Sequence, residues 1–187
     1  MSAVIASQRP PASFLAASRP ASFPPATGVR LLPETADSHI FGGSKHQVRP
    51  MDLAAYGYDE AEYLISGQAK MYTWPDGQEF PGIEAEGPYT NRFVIRKPAD
   101  PARFSGNVII EMNNWARGYD RPIAIWGNCA DHVMKNGDAW VGVSVRSDIL
   151  ANLRAFDPER YGELSFETPI PKEHRLDRPQ SRPLVAT

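Results

Sequence analysis

Residues 106–145, "GNVIIEMNNWARGYDRPIAIWGNCADHVMKNGDAWVGVSV", hold two apolar runs, 108–110 and 139–145, on either side of a helical pattern. Runs that stay apolar without polar alternation suit parallel strands covered on both faces. Between them, Pro122 fits a first helical turn and Gly137 a C-terminal cap. Ile123, Trp126, Ala130, Val133 and Met134 fall on one helical stripe, and Asn128, Asp131 and Lys135 on the other side. Strand, helix and parallel strand form a βαβ unit, which is right-handed in nearly all cases. The fold class this predicts is α/β.

Upstream of this unit the pattern changes. "AEYLISGQAKMYTW" (61–74) reads as two short strands around a Ser66-Gly67 hairpin turn. The turn-rich "PDGQEFPGIEAEGP" (75–88) reads as an exposed loop. "YTNRFVIRKP" (89–98) puts Tyr89, Asn91, Phe93 and Ile95 on one face of a strand, which Pro98 and Pro101 close. Downstream, Ser147 can cap a helix running through Ala155, and Asp157-Pro158 a further short turn.

The first 33 residues contain six prolines, three arginines, five serines and no acid, a composition that buries little apolar surface. Their arginines and serines also fit a targeting segment, although the prolines oppose the amphipathic helix such a segment needs. The expected division is a disordered tail or targeting segment over 1–34, a partial domain over 35–172 with ordered structure from near residue 45, and an irregular end over 173–187.

A hydrophobic content of 42% suits a globular core, and a net charge of -2 gives no whole-chain attraction to nucleic acid. No stretch approaches the roughly 18 apolar residues of a membrane helix. One cysteine, Cys129, excludes an internal disulfide, and its place on the helical stripe suggests a small core residue. Dinucleotide fingerprints, phosphate loops and H-E-x-x-H are missing, so neither cofactor nor metal is expected. His39 and His46 flank a glycine turn, and His132 lies towards the polar side of its helix.

In open α/β sheets, ligands sit beyond the carboxyl ends of the strands. "NNWARGYD" (113–120) occupies such a place. Its backbone N–H groups, with the side chains of Asn113 and Asn114, suit stabilisation of a developing oxyanion, and Trp115 suits a pocket wall. A polar loop that satisfies its own backbone is the plainer alternative. Glu111 is expected as a buried carboxylate paired with Arg117 or Arg146. A nucleophile elbow requires G-x-S-x-G. "GVSVR" has Arg146 where the second glycine belongs, and "GGSKH" (42–46) has His46, so neither Ser144 nor Ser44 is expected to be a nucleophile.

"EGPYTNRFVIRKPADPARFSGNVIIEMNNW", followed by "GNCADHVMKNGDAWVGVSVR", resembles a family of large, serine-hydrolase-like α/β-hydrolase-domain proteins. The likeness spans roughly residues 35–172. It implies the N-terminal portion of an α/β-hydrolase sheet, antiparallel strands leading into a parallel βαβ unit. It also implies that residues 112–116 form the loop giving one oxyanion-hole N–H. In such a fold the nucleophile elbow, acid and histidine follow later, beyond this sequence. The ending "RLDRPQSRPLVAT" departs from the family's continuation, as a truncated or frame-disrupted chain would. The expected function is therefore that of an N-terminal fragment of an ester or acyl hydrolase, inactive alone, whose complete form takes a small ester-like substrate. The rival is a non-catalytic binding or interaction module on a half α/β sheet.

Overall fold

The computed structural model describes residues 25–47, 49–73 and 82–166. Its strands are β1 (Ala26–Leu32), β2 (Tyr58–Thr73), β3 (Gly82–Pro98), β4 (Val108–Met112), β5 (Ala139–Val143) and β6 (Ser165–Phe166). Its helices are α1 (Trp126–Asn136), α2 (Ser147–Phe156) and α3 (Pro158–Tyr161). The strands make one sheet in the order β1-β2-β3-β5-β4, with β6 pairing to β3. β4 and β5 run parallel, with Val108 opposite Ala139 and Met112 opposite Val143. The pairs β1–β2, β2–β3 and β3–β5 are antiparallel. The βαβ unit and the antiparallel strands before it are thus as the sequence predicts.

Three local readings are corrected. Ser66-Gly67 does not turn: β2 continues through it, and Gly67 pairs with Tyr89, whose ring lies directly against the glycine. The long β2–β3 ladder also takes in residues 82–88 of the supposed loop, while 74–81 lie outside the described residues. Order begins well before residue 45, because Arg160 of α3 donates to the carbonyls of Leu32 (2.9 Å) and Pro33 (2.8 Å) and so fastens the end of β1. Residues 1–24 and 167–187 lie outside the described residues.

The helices all pack on one face of the sheet. There Trp126, Val133 and Met134 of α1 meet Val94 and Trp140. Ile149, Leu150 and Leu153 of α2 meet Leu32, Leu64 and Tyr161. Two expected members of the stripe lie outside: Ile123 precedes the helix and is exposed, and Cys129 is exposed on its flank.

The opposite face carries no helix among the described residues, which corrects the expectation of strands covered on both sides. Its side chains are nevertheless apolar. Val29 and Leu31 of β1 adjoin Ile65 and Tyr63 of β2; Tyr63 stacks on Phe93 of β3; Phe93 and Ile95 adjoin Val143 and Val141 of β5. Val108, Ile110 and Met112 of β4 finish the row at 54%, 68% and 73% exposure. Among the described residues the sheet ends beside them at β4, and β5 lies between β3 and β4.

Candidate functional site

Glu60 and Glu62 of β2 and Arg92 and Arg96 of β3 point to the helix-covered face, because they share strand parity with Leu64 and Val94. Buried Arg92 meets buried Glu62 at 2.8 Å and Asp120 at 3.4 Å. Burial opposes the charge on Arg92, but Glu62, Tyr161 and Asp120 outweigh it and hold the guanidinium above its ordinary pKa. Arg96 lies between the rings of Trp126 (4.7 Å) and Trp140 (4.8 Å), with Glu60 accepting from its Nε at 2.6 Å. Its pKa is lowered, chiefly by burial.

Glu111 is buried as expected; the side chain of Arg117, one of its two expected partners, lies outside the described residues, and the bonds found are to other groups. It accepts from the N–H groups of Ala124 (2.7 Å), Ile125 (3.1 Å) and Trp126 (2.9 Å), and from Trp140 Nε1 (2.8 Å). A carboxylate at the start of α1 meets N–H groups that have no partner within the helix, together with the positive end of its dipole. These bonds set the beginning of α1 at Trp126 rather than Pro122. Arg146 lies instead over the Trp115 ring, 4.8 Å from its centre.

Beyond β4 the loop is held at both ends. Asn113 N–H donates to Val143 O at 2.9 Å, extending the parallel ladder by one residue. Asn114 exchanges two backbone hydrogen bonds with Arg121, at 2.8 and 2.9 Å, closing the loop. Its side-chain Oδ1 accepts from Ala116 N–H at 2.8 Å, a local turn typical of asparagine. At the far end, Asp120 accepts from Ser144 Oγ in a very short bond and faces Arg92. Asn91 Nδ2 reaches Ser144 O at 2.8 Å. The loop is thereby tied to β5 and β3 through buried polar groups.

The three predicted site residues therefore separate by role. The backbone N–H of Asn113 is spent on β5, and the backbone N–H and Oδ1 of Asn114 are spent on the loop itself. The Asn113 side chain is buried at the end of β4, and its Oδ1 has no hydrogen-bond partner among the described residues. Trp115 is half exposed, and its N–H engages no partner among the described residues. The Asn113 Oδ1 is an acceptor, so the Trp115 backbone N–H is the unspent main-chain donor next to it. Asp120, Arg92 and Glu62, which fix the loop, were not singled out from sequence.

Neither serine tested earlier is free to react. Ser144 is fully buried and donates to Asp120, with no histidine beside it among the described residues. Ser44 donates to Glu60 at 2.9 Å. His39 and His46 stack on each other at 3.7 Å, next to a depression of about 640 Å³ lined in part by Ser38, Phe156 and Asp157. His132 contacts Asn136 on the exposed side of α1. Among the described residues no group of three or more His, Cys, Asp or Glu is placed to hold a metal, and no helix is long and apolar enough to cross a membrane.

A mixed sheet whose antiparallel strands lead into a parallel βαβ unit, with a polar loop at the carboxyl end of the first parallel strand, defines an α/β-hydrolase-type fold. The model of the alpha/beta hydrolase domain family matches residues 21–182, and the chain belongs to that family. The chain is also 31% identical over 97 residues to an arginine–tRNA ligase of Wolinella succinogenes; that match takes in 52% of this chain and 17% of the ligase. No solved structure matches.

Proposed function

We propose that this chain is the N-terminal part of a serine acyl hydrolase and supplies its oxyanion loop and part of its pocket wall, without the nucleophile. In the complete enzyme a serine attacks the ester carbonyl while a histidine takes its proton. The carbonyl oxygen gains the negative charge, and collapse of the tetrahedral intermediate expels the alcohol, protonated by the same histidine. In this reading the Trp115 backbone N–H and the Nδ2 of Asn113 are the donors offered to that oxygen. The observation that carries the reading is the loop itself: a turn anchored at the end of β4 that leaves the Trp115 backbone N–H without a partner among the described residues.

The position adds weight. A strand joining the open side of β4 would reverse the direction of the strand order there, and such reversals are where open α/β sheets bind ligands. Ester hydrolysis by a longer chain containing the rest of the domain tests the reading. Asn113→Ala in that chain should lower kcat by roughly 10²-fold, the scale of losing one oxyanion donor. Unchanged kcat with an intact fold would remove the loop from the mechanism. The bare sheet face favours a second reading, a non-catalytic interaction module, in which the longer chain folds and binds but never hydrolyses an ester.

A further inference from the structure

Two arginines flank the loop at 113–121, and each lies on an aromatic ring that the loop itself presents. Arg121, at the end of the loop, stands over the ring of Tyr119, 4.9 Å from its centre. Arg146, just past β5, stands over the ring of Trp115 at 4.8 Å. Both rings are exposed. A guanidinium laid on an aromatic face spends its π surface there and keeps its N–H groups, which lie in its own plane, for a partner at its edge.

Arg121 has no such partner among the described residues. Its side chain is half-buried, and its Nε is buried without a hydrogen bond. The buried carboxylates at this end of the sheet are taken elsewhere. Asp120 is held by Ser144 and Arg92, and Glu111 by the start of α1 and Trp140. Buried polar atoms of folded proteins nearly always find a partner, so an orphaned N–H on a cation calls for one. A water would satisfy the N–H but leave the charge uncompensated, whereas an anion does both. The Trp115 backbone N–H, also unspent, lies close by, because Asn114, the residue before it, exchanges two backbone hydrogen bonds with Arg121.

We propose that Arg121 and Arg146 form a subsite for an anionic group, a carboxylate or a phosphate, on the substrate whose carbonyl oxygen meets the Trp115 N–H. The substrate class is then a negatively charged acyl ester rather than a neutral one. The subsite rests on the proposed function for the reaction, but its capture of an anion is independent of any hydrolysis.

The test uses the full chain with monomethyl succinate, a monoanion, and dimethyl succinate, its uncharged counterpart. The monoester should shift the Trp115 indole N–H resonance saturably, and the diester should bind about tenfold more weakly, the scale of one hydrogen bond to a charged group. Arg121→Gln should weaken the monoester by about the same factor and leave the diester unchanged. Arg121→Lys, which keeps the charge without the planar fork, should fall between the two. Arg146→Gln should weaken the monoester in the same direction, while Arg30→Gln, in an exposed ion pair with Glu163, should not. Competition by acetate ahead of inorganic phosphate supports the subsite and names its group as a carboxylate; the reverse order supports it and names a phosphate. The subsite is overturned by equal binding of the two esters, by no saturable shift with the monoester, by competition from neither anion, or by an Arg121→Gln chain of native circular dichroism that binds the monoester as tightly as the original. Hydrolysis by a longer chain is read separately. If this chain prefers the monoester and the longer chain hydrolyses neither ester, the subsite stands and the hydrolase reading falls. If the longer chain hydrolyses both with equal kcat/KM and ignores Arg121→Gln, the hydrolase reading stands and the subsite falls.

Discussion

Glu111 accepts four hydrogen bonds, three from backbone N–H groups at the start of α1 and one from Trp140 Nε1. Glu111→Gln replaces one acceptor oxygen by an NH₂ group facing N–H donors. Hydrogen bonds to charged groups contribute about 1.5–3 kcal/mol each, so the variant should lose about 3 kcal/mol in urea unfolding. A loss under about 0.5 kcal/mol would mean that α1 does not depend on this carboxylate. Tyr161 gives a pH signature. Burial, the main cause, pushes its phenol up to about 12, against an ordinary value near 10. The neutral form is favoured in the folded chain, so this contribution is complete below pH 10 and is lost as pH rises towards 12. Stability should fall across that window by on the order of 2–3 kcal/mol from this group, and Tyr161→Phe should flatten the slope. The slope left over includes Tyr58, whose phenol is also raised, first by burial. At this scale the sequence was only partly legible. Parity places Glu60, Glu62, Arg92 and Arg96 on the face of Leu64 and Val94, which signals buried ion pairs. Nothing local to Glu111 indicates that its partners lie 13 to 15 residues onward in the backbone at the start of α1.

The elements were most legible where one periodicity ran unbroken. α1 was readable from Trp126, Ala130, Val133 and Met134, all buried, and from Gly137, which takes a φ of 74° at its C-terminus. There the N–H of Gly137 reaches Met134 O at 3.2 Å and the N–H of Asp138 reaches Val133 O at 3.1 Å, while a Cβ on Gly137 would stand 2.1 Å from Arg103 O. Gly137→Ala should therefore destabilise the chain by more than about 1 kcal/mol, combining a left-handed backbone with a clash against main chain. A thermal scan showing an unchanged midpoint would contradict this. The β2–β3 ladder was misread because Ser-Gly is a turn signal in isolation. What overrides it is tertiary: Tyr89 on the neighbouring strand covers the place where a side chain on Gly67 would be. β1 was missed for a similar reason, since its order depends on Arg160, some 130 residues away in sequence.

At the scale of the whole molecule, the apolar character of β4 and β5 correctly announced a parallel core, but the sequence could not say which side would be covered by residues of this chain. Neither could it show that the loop at 113–121 is anchored by Asp120, because that bond depends on Ser144, a residue met in the search for a nucleophile. The two roles make opposite predictions. A nucleophilic Ser144 would be exposed and next to a base; here it is fully buried and donates to Asp120, which also faces Arg92. A purified chain offered a short activated ester should therefore hydrolyse it no faster than buffer, and Ser144→Ala should leave that rate unchanged. The same substitution should lower stability by about 1–3 kcal/mol, because Asp120 loses a donor in a buried setting. It should also speed amide exchange across 113–121, where the loop's hold on β5 is weakened. Ser144→Thr, which keeps the hydroxyl, should restore part of the protection if the extra methyl is accommodated beside Asn91 and Asp120. Labelling of Ser144 by an organophosphonate, or ester turnover abolished by Ser144→Ala, would instead make this serine a nucleophile and overturn its assignment as the anchor of the loop.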